Sequence, residues 1–194
     1  MRLFVLARHG ESTLNAERRV NGDPSRPVPL TLRGEEEARH LGLQLAGLAL
    51  DGCVVTRFPR TRQTAELALA GRGVPVHVEP LLDDIAVGEL EGQTIEDYRA
   101  WKRAHSRRDA FPGGESLDAA GLRYARAYRG LLARPEATLL VVSHEIPIRY
   151  AVNAAAGSEE LDGPARQLGN ALPYLFDETT LERAAGRIEL LARA

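Results

Sequence analysis

The sequence predicts an α/β protein of three layers, in which helices cover both faces of a mostly parallel sheet of about six strands. Short apolar runs typical of buried strands alternate with longer amphipathic segments typical of helices. The run ATLLVVSH contains four consecutive apolar residues and is apolar on both faces, as expected for a central parallel strand. No internal repeat or low-complexity linker divides the chain, so we expect a single domain over residues 1–194.

The first half of the chain supplies three predicted strands and two predicted helices. The apolar runs at 3–7 and 51–56 predict buried strands, and 74–79 predicts a third strand. Residues 29–48 predict a helix, because leucines recur at helical spacing behind a threonine that suits the N-cap. Residues 60–71 predict a second helix, which would end at its final glycine.

The region near 84–115 has weaker apolar periodicity and predicts a small helical cap over one edge of the sheet. Within this region, 94–108 is expected to be a polar helix that directs Tyr98 and Trp101 inward. Its basic residues allow two interpretations, a solvated helix face or a cap that favours polyanionic substrates. These basic residues are Lys102, Arg103, Arg107 and Arg108. The helical pattern stops at FPGGES, which is a strong turn signal.

The second half of the chain completes the predicted sheet. Residues 117–134 predict a long helix, 137–144 predicts the central strand, and 148–157 predicts a further helix. The tail predicts one or two edge strands, at 171–177 and at 186–193.

The composition argues against several classes of protein. The 194 residues are 44% hydrophobic and carry a formal net charge of −2, which gives no reason to expect nucleic-acid or membrane binding. No segment approaches the roughly 20 apolar residues of a membrane span, and the N-terminal apolar run is too short for a signal peptide. The single cysteine, Cys53, excludes an internal disulfide, and we expect a cytoplasmic protein.

Charged and nucleophilic side chains gather where the predicted strands end. Because the carboxyl ends of parallel strands meet at one edge of a sheet, we expect these side chains to share one site. They are Arg8 and His9 after the first strand, Arg57 and Arg60 after the second, Asp84 beyond the third, and His144 at the end of the central strand.

This set of side chains suits phosphoryl transfer. Arginine guanidinium groups match phosphate oxygens bidentately. A neutral imidazole is a competent nucleophile toward phosphorus, and a carboxylic acid can protonate a leaving oxygen. The histidines lack the close spacing of metal ligands, so we expect a site that uses neither a metal ion nor another cofactor. We expect Gly10 to let phosphate approach the backbone, and one ring nitrogen of His9 to donate to a backbone carbonyl.

Several motifs, in one order, resemble those of a known family. The segment RHGESTLN resembles the signature of the histidine phosphatase superfamily, which includes cofactor-dependent phosphoglycerate mutases and small broad-specificity phosphatases. The segments NGDPSRPVPLTLRGEEEA, TRFPRTRQTAE and DIAVGELEG are similar to the family's next three motifs, and GGES and VVSH follow in the expected order. The resemblance covers nearly the whole chain, and an ordered set of motifs is far more specific than any one of them.

The resemblance implies a role for each matching residue. His9 would be the nucleophile that forms a phosphohistidine, and Asp84 would protonate the leaving oxygen and then activate water. The phosphate pocket would be lined by Arg8, Arg60 and His144, with a neutral hydrogen bond from Asn15 and further substrate contacts from Asn21 and Gly22. Taken without the family, Asn15 is equally a turn cap.

Two positions depart from the family pattern. The family usually has glutamate where this chain has Asp84, so Asp83 and Glu89 stay open as alternative acids. The family commonly has two glycines after its second histidine, where this chain has Glu145 and Ile146. A carboxylate beside a phosphate pocket repels the substrate, so we expect Glu145 to point away, to pair with an arginine, or to select a cationic or hydroxyl-rich substrate.

Three functions are compatible with these residues. The first is a phosphomonoesterase that acts on a small phosphorylated metabolite. The second is a phosphoglycerate mutase, which is disfavoured because the segment after the acid motif is short and would leave a phosphohistidine open to water. The third is a non-catalytic binder of phosphorylated ligands, which the presence of both histidines and both arginines disfavours. The family resemblance also allows a homodimer.

Overall fold

The computed structural model describes residues 2–194, and in this range five strands form one sheet between two layers of helices. The sheet order is β3-β2-β4-β1-β5, in which β5 runs antiparallel to β1 and the other neighbours are parallel. The strands are β1 (Leu3–Arg8), β2 (Gly52–Val55), β3 (Val76–Val78), β4 (Thr138–Ser143) and β5 (Pro173–Asp177). The predicted three-layer α/β fold is thereby confirmed.

Seven α-helices and two single turns of 3₁₀ helix complete the described part of the chain. The α-helices are α1 (Thr13–Ala16), α2 (Leu32–Gln44), α3 (Pro59–Ala68), α4 (Ile95–Ala104), α5 (Leu117–Leu132), α6 (Glu145–Ala155) and α7 (Glu178–Arg193). The 3₁₀ turns are Pro80–Leu82 and Gly88–Leu90.

Successive residues of β1 face opposite helix layers, which divides the core in two. Phe4 and Leu6 pack into a large cluster with α5, α6 and α7. Val5 and Ala7 pack into a smaller cluster with α2 and α3. Because side chains alternate along a strand, a strand buried on both faces must be apolar throughout, which explains the continuous apolar run.

The predicted edge strand at 186–193 was wrong, because these residues lie in α7. Asp177 caps this helix by accepting a hydrogen bond from the Thr180 N–H at 2.7 Å. Leu181, Ala184 and Ile188 then recur at helical spacing and are fully buried. The apolar residues of the tail therefore follow the helical period, and the sheet has five strands where we expected about six.

A helical cap is present where the sequence predicts one, near 84–115. Its main element is α4, whose N-cap Thr94 and N3 residue Asp97 form a reciprocal capping box. Tyr98 and Trp101 face inward as expected and stack on the buried ring of Phe111, with ring centroids 5.5 and 4.1 Å away. Aromatic contacts thus hold the cap together, and an isolated antiparallel bridge between Thr94 and Arg19 joins it to the segment after α1.

Candidate active site

His9 lies directly after β1, which holds it at the carboxyl edge of the sheet. Its backbone N–H donates to the Ser143 carbonyl oxygen at 3.0 Å, and only 2% of its surface is exposed. Nδ1 lies 2.7 Å from the carbonyl oxygen of Gly10, a contact that requires the proton on Nδ1 and leaves a lone pair on Nε2. Burial, then the charges of Arg60 and Arg8, lower the pKa of His9. His9 is therefore a neutral imidazole near pH 7.

Arg60 connects the two histidines. It is the second residue of α3, and its side chain is 3% exposed. Its Nε donates to His9 Nε2 at 2.9 Å, and its Nη2 donates to His144 Nδ1 at 3.2 Å. The guanidinium also lies 4.3 Å from the centre of the Phe58 ring. Burial lowers the pKa of Arg60 to about 10, so the group still carries its charge near pH 7.

His144 is the N-cap residue of α6, at the end of β4. Its ring centroid lies 5.4 Å from that of His9, and the side chain is fully buried. Its Nε2 lies 2.9 Å from the hydroxyl of Thr56, while its Nδ1 accepts from Arg60. This pair of contacts places the proton on Nε2. Burial, then Arg60, lower the pKa of His144, which is therefore also neutral near pH 7.

Asp84 supplies the carboxyl group of the site. Its Oδ2 lies 3.4 Å from Nη2 of Arg60 and 3.6 Å from Nδ1 of His144. Burial raises the pKa of this carboxyl, against the opposing charge of Arg60. Asp84 therefore retains a proton to a higher pH than an ordinary aspartate, as a general acid requires.

The other two candidate acids lie outside this cavity. Asp83 is buried and bound to Arg57, whose Nε lies 2.6 Å from Asp83 Oδ2. Glu89 is exposed on the second 3₁₀ turn. Neither side chain lines the cavity that contains Asp84. Arg57 does not line it either, so its position is explained by the ion pair with Asp83.

Arg8 is the last residue of β1, and its side chain contacts other residues of the chain. Its Nη1 donates to the carbonyl oxygen of Leu168 at 2.9 Å and pairs with Glu145 Oε2, also at 2.9 Å. Of the three expectations for Glu145, the structure shows the second, a pairing with an arginine. The partner is one of the two arginines predicted to bind phosphate.

Asn21 and Gly22 both line the cavity, and Asn21 also supports Arg60. Asn21 accepts from Arg60 through its side-chain oxygen and through its backbone oxygen, the latter at 3.2 Å. The Gly22 N–H donates to Glu91 at 2.7 Å. A Cβ on Gly22 would lie 2.0 Å from the carbonyl oxygen of Ile85, so only glycine fits here.

Asn15 lines the cavity and also serves as a turn cap. Its side-chain oxygen accepts from the Ser12 N–H at 3.2 Å, and the Ser12 hydroxyl accepts from the Asn15 N–H at 3.3 Å. The two interpretations of Asn15 are therefore compatible with each other.

The cavity has a volume of about 950 Å³ and lies between the sheet edge and the cap. The basic run of the cap divides in two. Lys102 and Arg103 line the cavity, whereas Arg107 pairs with Asp118 at 2.8 Å and Arg108 reaches the C-terminal Ala194. Half of this run therefore faces the site and half stabilises the fold.

Four supporting contacts were not found by sequence reasoning. Thr56 contacts His144, and Thr64 accepts from the Gly10 N–H at 3.0 Å. The Asn170 side chain donates to the His9 carbonyl oxygen at 2.8 Å, and the Leu168 carbonyl binds Arg8. The threonines stand inside the TRFPRTRQTAE motif and could have been suspected there. Asn170 and Leu168 belong to a segment without any motif, so only the fold reveals them.

Two general searches cover residues 2–194. No group of three or more His, Cys, Asp or Glu side chains is arranged to hold a metal ion in this range. None of the helices in this range combines the length and the apolar character needed to cross a bilayer.

The fold and this constellation of side chains define a class of phosphoryl-transfer enzymes. A model of the histidine phosphatase superfamily (branch 1) matches residues 4–186, so the chain belongs to this superfamily. The resemblance inferred from the motifs is thereby confirmed.

The individual relatives include one protein named as a mutase and two proteins of known structure. The chain is 31% identical over 160 residues to a protein of Enterobacter sp. (strain 638) named "Probable phosphoglycerate mutase GpmB", a match that covers 78% of this chain and 74% of that protein. Among solved structures, the alpha-ribazole phosphatase from Shigella flexneri is 27% identical with a TM-score of 0.76, covering 90% of each chain. The protein TTHB049 from Thermus thermophilus is 29% identical with a TM-score of 0.68, covering 90% of this chain and 93% of that one.

Proposed function

We propose that this protein is a phosphomonoesterase that acts on a small phosphorylated metabolite through a phosphohistidine at His9. The observation that carries the proposal is the position of His9, with Nδ1 2.7 Å from the Gly10 carbonyl oxygen and Nε2 facing Arg60 at 2.9 Å. The hydrogen bond to Gly10 and the lowered pKa leave Nε2 with a lone pair, in a cavity that Arg60 and Asp84 also line. His144 is buried directly beside them, with its Nδ1 3.2 Å from Nη2 of Arg60.

The first step forms the phosphoenzyme. Nε2 of His9 attacks phosphorus, the bond from phosphorus to the ester oxygen breaks, and Asp84 donates its proton to that oxygen. Arg60 donates to His9 Nε2 at 2.9 Å in this structure, so its Nε must turn to a phosphoryl oxygen before the lone pair can react. Arg8 and Arg60 then stabilise the negative charge on the equatorial oxygens.

The second step returns the enzyme to its starting form. The Asp84 carboxylate takes a proton from water, the resulting hydroxide attacks phosphorus, and the nitrogen–phosphorus bond breaks. Inorganic phosphate leaves, His9 regains its lone pair, and Asp84 is again protonated. All proton transfers in the cycle are accounted for by Asp84, the leaving alcohol and water.

A phosphoglycerate mutase is the second candidate, and it is supported by the name of the Enterobacter relative. A mutase must keep water away from its phosphohistidine, so that the phosphoryl group returns to substrate. The cap of this protein has one ten-residue helix, and the cavity beneath it holds about 950 Å³. Room for water beside His9 favours hydrolysis over transfer.

The test compares His9→Gln with His40→Gln, which removes an exposed imidazole from α2. We expect the wild-type protein and His40→Gln to hydrolyse a chromogenic aryl phosphate and to form an acid-labile phosphoenzyme, and His9→Gln to do neither. A parallel assay supplies 3-phosphoglycerate with 2,3-bisphosphoglycerate. Mutase turnover without hydrolysis would reverse the order of the two candidates. The absence of both activities and of a phosphoenzyme in the wild type would support a phospholigand binder instead.

A further inference from the structure

Glu145 occupies a place where an anionic ligand would be expected. It is the first residue of α6, directly after His144, and its carboxylate lines the cavity. The N-terminus of a helix attracts negative charge, because its unpaired N–H groups and its dipole point toward the ligand. Glu145 therefore places a negative charge in the first turn of α6, beside the proposed phosphate pocket.

The carboxylate of Glu145 engages the guanidinium of Arg8 directly. Glu145 Oε2 and Arg8 Nη1 are 2.9 Å apart, and the two side chains are only 25% and 16% exposed. The buried Nε of Arg8 makes no hydrogen bond to residues 2–194. Nη1 of Arg8 therefore binds Glu145 and the Leu168 carbonyl oxygen, whereas Nε has no acceptor among residues 2–194.

A second arginine is placed to receive Glu145 if Arg8 turns away. Arg149 lies one helical turn further along α6, and its Nη1 is 3.4 Å from Glu145 Oε1. Arg149 is itself held by Asp162, with Nη2 and Oδ1 2.6 Å apart. Glu145 can therefore release Arg8 and still keep Arg149 as a cationic partner.

We propose that Glu145 competes with the substrate phosphoryl group for Arg8, and so sets how tightly the site binds phosphate. Binding of phosphate at His9 then requires Arg8 to exchange Glu145 for a phosphate oxygen, with Glu145 retained by Arg149. The exchange weakens the binding of any phosphate group, including the product, and so speeds product release. This inference rests on the proposed function only in requiring that phosphate binds beside His9.

The field of Glu145 reaches the reacting groups. After burial, which is the largest cause, the charge of Glu145 contributes to the raised pKa of Asp84. Removal of this charge should therefore alter phosphate binding rather than only the local structure of α6.

The test measures equilibrium binding of inorganic phosphate by calorimetry, which needs no turnover. Glu145→Gln keeps the shape of the side chain and removes its charge. Glu160→Gln is the matched control, because Glu160 lines the same cavity and makes no ion pair among the described residues. We expect Glu145→Gln to tighten phosphate binding about tenfold, because a like charge beside the ligand is removed. Glu160→Gln should change binding less than about twofold, as expected of a solvent-exposed charge.

Equal affinities for the two variants, or weaker binding by Glu145→Gln, would overturn the proposal. A second variant, Glu145→Ala, removes the charge without introducing the hydrogen-bonding amide of glutamine. It should also tighten binding. Thermal melting of each variant confirms that it is folded. Phosphate binding that follows these expectations in a protein without hydrolase activity would support this inference and reject the proposed function.

Discussion

At the scale of single residues, burial shifts the pKa of the general acid and the pKa of the nucleophile in opposite directions. Burial disfavours the charged form of any group, so it lowers the pKa of the His9 imidazole and raises that of the Asp84 carboxyl. The arginines reinforce the first shift and oppose the second. One environment thus favours the unprotonated form of the nucleophile and the protonated form of the acid, which is the arrangement that phosphoryl transfer to histidine requires.

The pH dependence of turnover follows from these directions. Activity should rise with pH as His9 loses its proton, which occurs well below 6.5, and should fall as Asp84 ionises, which occurs above 3.8. We therefore predict that kcat/KM is greatest on the acid side of neutrality. A profile of kcat/KM against pH with an aryl phosphate tests this, and an optimum in the alkaline range would contradict it.

Asp84→Asn separates the role of the acid from that of the nucleophile. We predict that the descending limb of the profile disappears, and that kcat for an alkyl phosphate falls about 100- to 10,000-fold. An aryl phosphate should lose less, since its leaving oxygen needs less protonation. Asp83→Asn is the control, because Asp83 is the neighbouring carboxylate and is paired with Arg57 outside the cavity. Equal losses with the two esters would exclude Asp84 as the proton donor.

At the scale of elements, two helical glycines with opposite surroundings show how tightly α2 packs on the site. A Cβ on Gly34, in the first turn of α2, would lie 2.0 Å from the carbonyl oxygen of Glu11. A Cβ on Gly186, within α7, would meet nothing within 4 Å. The segment that follows His9 therefore rests on bare backbone of α2, whereas α7 is open at Gly186.

These surroundings predict opposite effects for one substitution. Gly186→Ala should stabilise the protein by about 0.5–1 kcal/mol, because alanine has the higher helix propensity and restricts the unfolded chain. Gly34→Ala should destabilise it by about 1–3 kcal/mol, because backbone must move to relieve the clash. Urea denaturation of both variants tests this. A stabilised Gly34→Ala variant would show that the segment after His9 moves aside at little cost.

At the scale of the whole molecule, the charge is unevenly distributed. The chain has a formal net charge of −2, yet nine arginine and lysine side chains but only five acidic ones line the cavity. A cleft lined by an excess of positive charge attracts anions, even when the protein as a whole carries a small negative charge. The charge of the whole sequence, which gave no reason to expect nucleic-acid or membrane binding, conceals this local excess.

This asymmetry predicts that kcat/KM for a phosphate monoester falls several-fold when NaCl rises from about 20 mM to about 500 mM, with kcat little changed. The double variant Arg99→Gln with Arg103→Gln, on the cavity side of the cap, should flatten this dependence. Arg62→Gln with Arg126→Gln removes the same charge from exposed positions outside the cavity and should leave the dependence as it is. Identical salt profiles for both double variants would contradict the prediction.

Much of the fold and of the candidate site follows from local pattern. The apolar strand runs, the capping threonine of α2 and the turn residues around the cap are decided by neighbours in the chain, so the sequence predicts them directly. The prediction of an edge strand at 186–193 was wrong because a short apolar run fits either a strand or a helix. Only its packing against α5 and α6 distinguishes the two. The loop that carries Leu168 and Asn170 has no local signature, since its role depends on which strand it meets.

The sequence by itself determined the family of this protein and the kinds of side chain at its candidate site, because the ends of parallel strands bring arginine, histidine and aspartate together whatever the details of packing. Only the tertiary structure decided which acid faces the histidines and what Glu145 does. Asp83 and Asp84 are adjacent in the chain and chemically identical, and Glu145 could have pointed either way. Their roles depend on which arginine each one meets, and such contacts between distant segments are fixed by the fold as a whole.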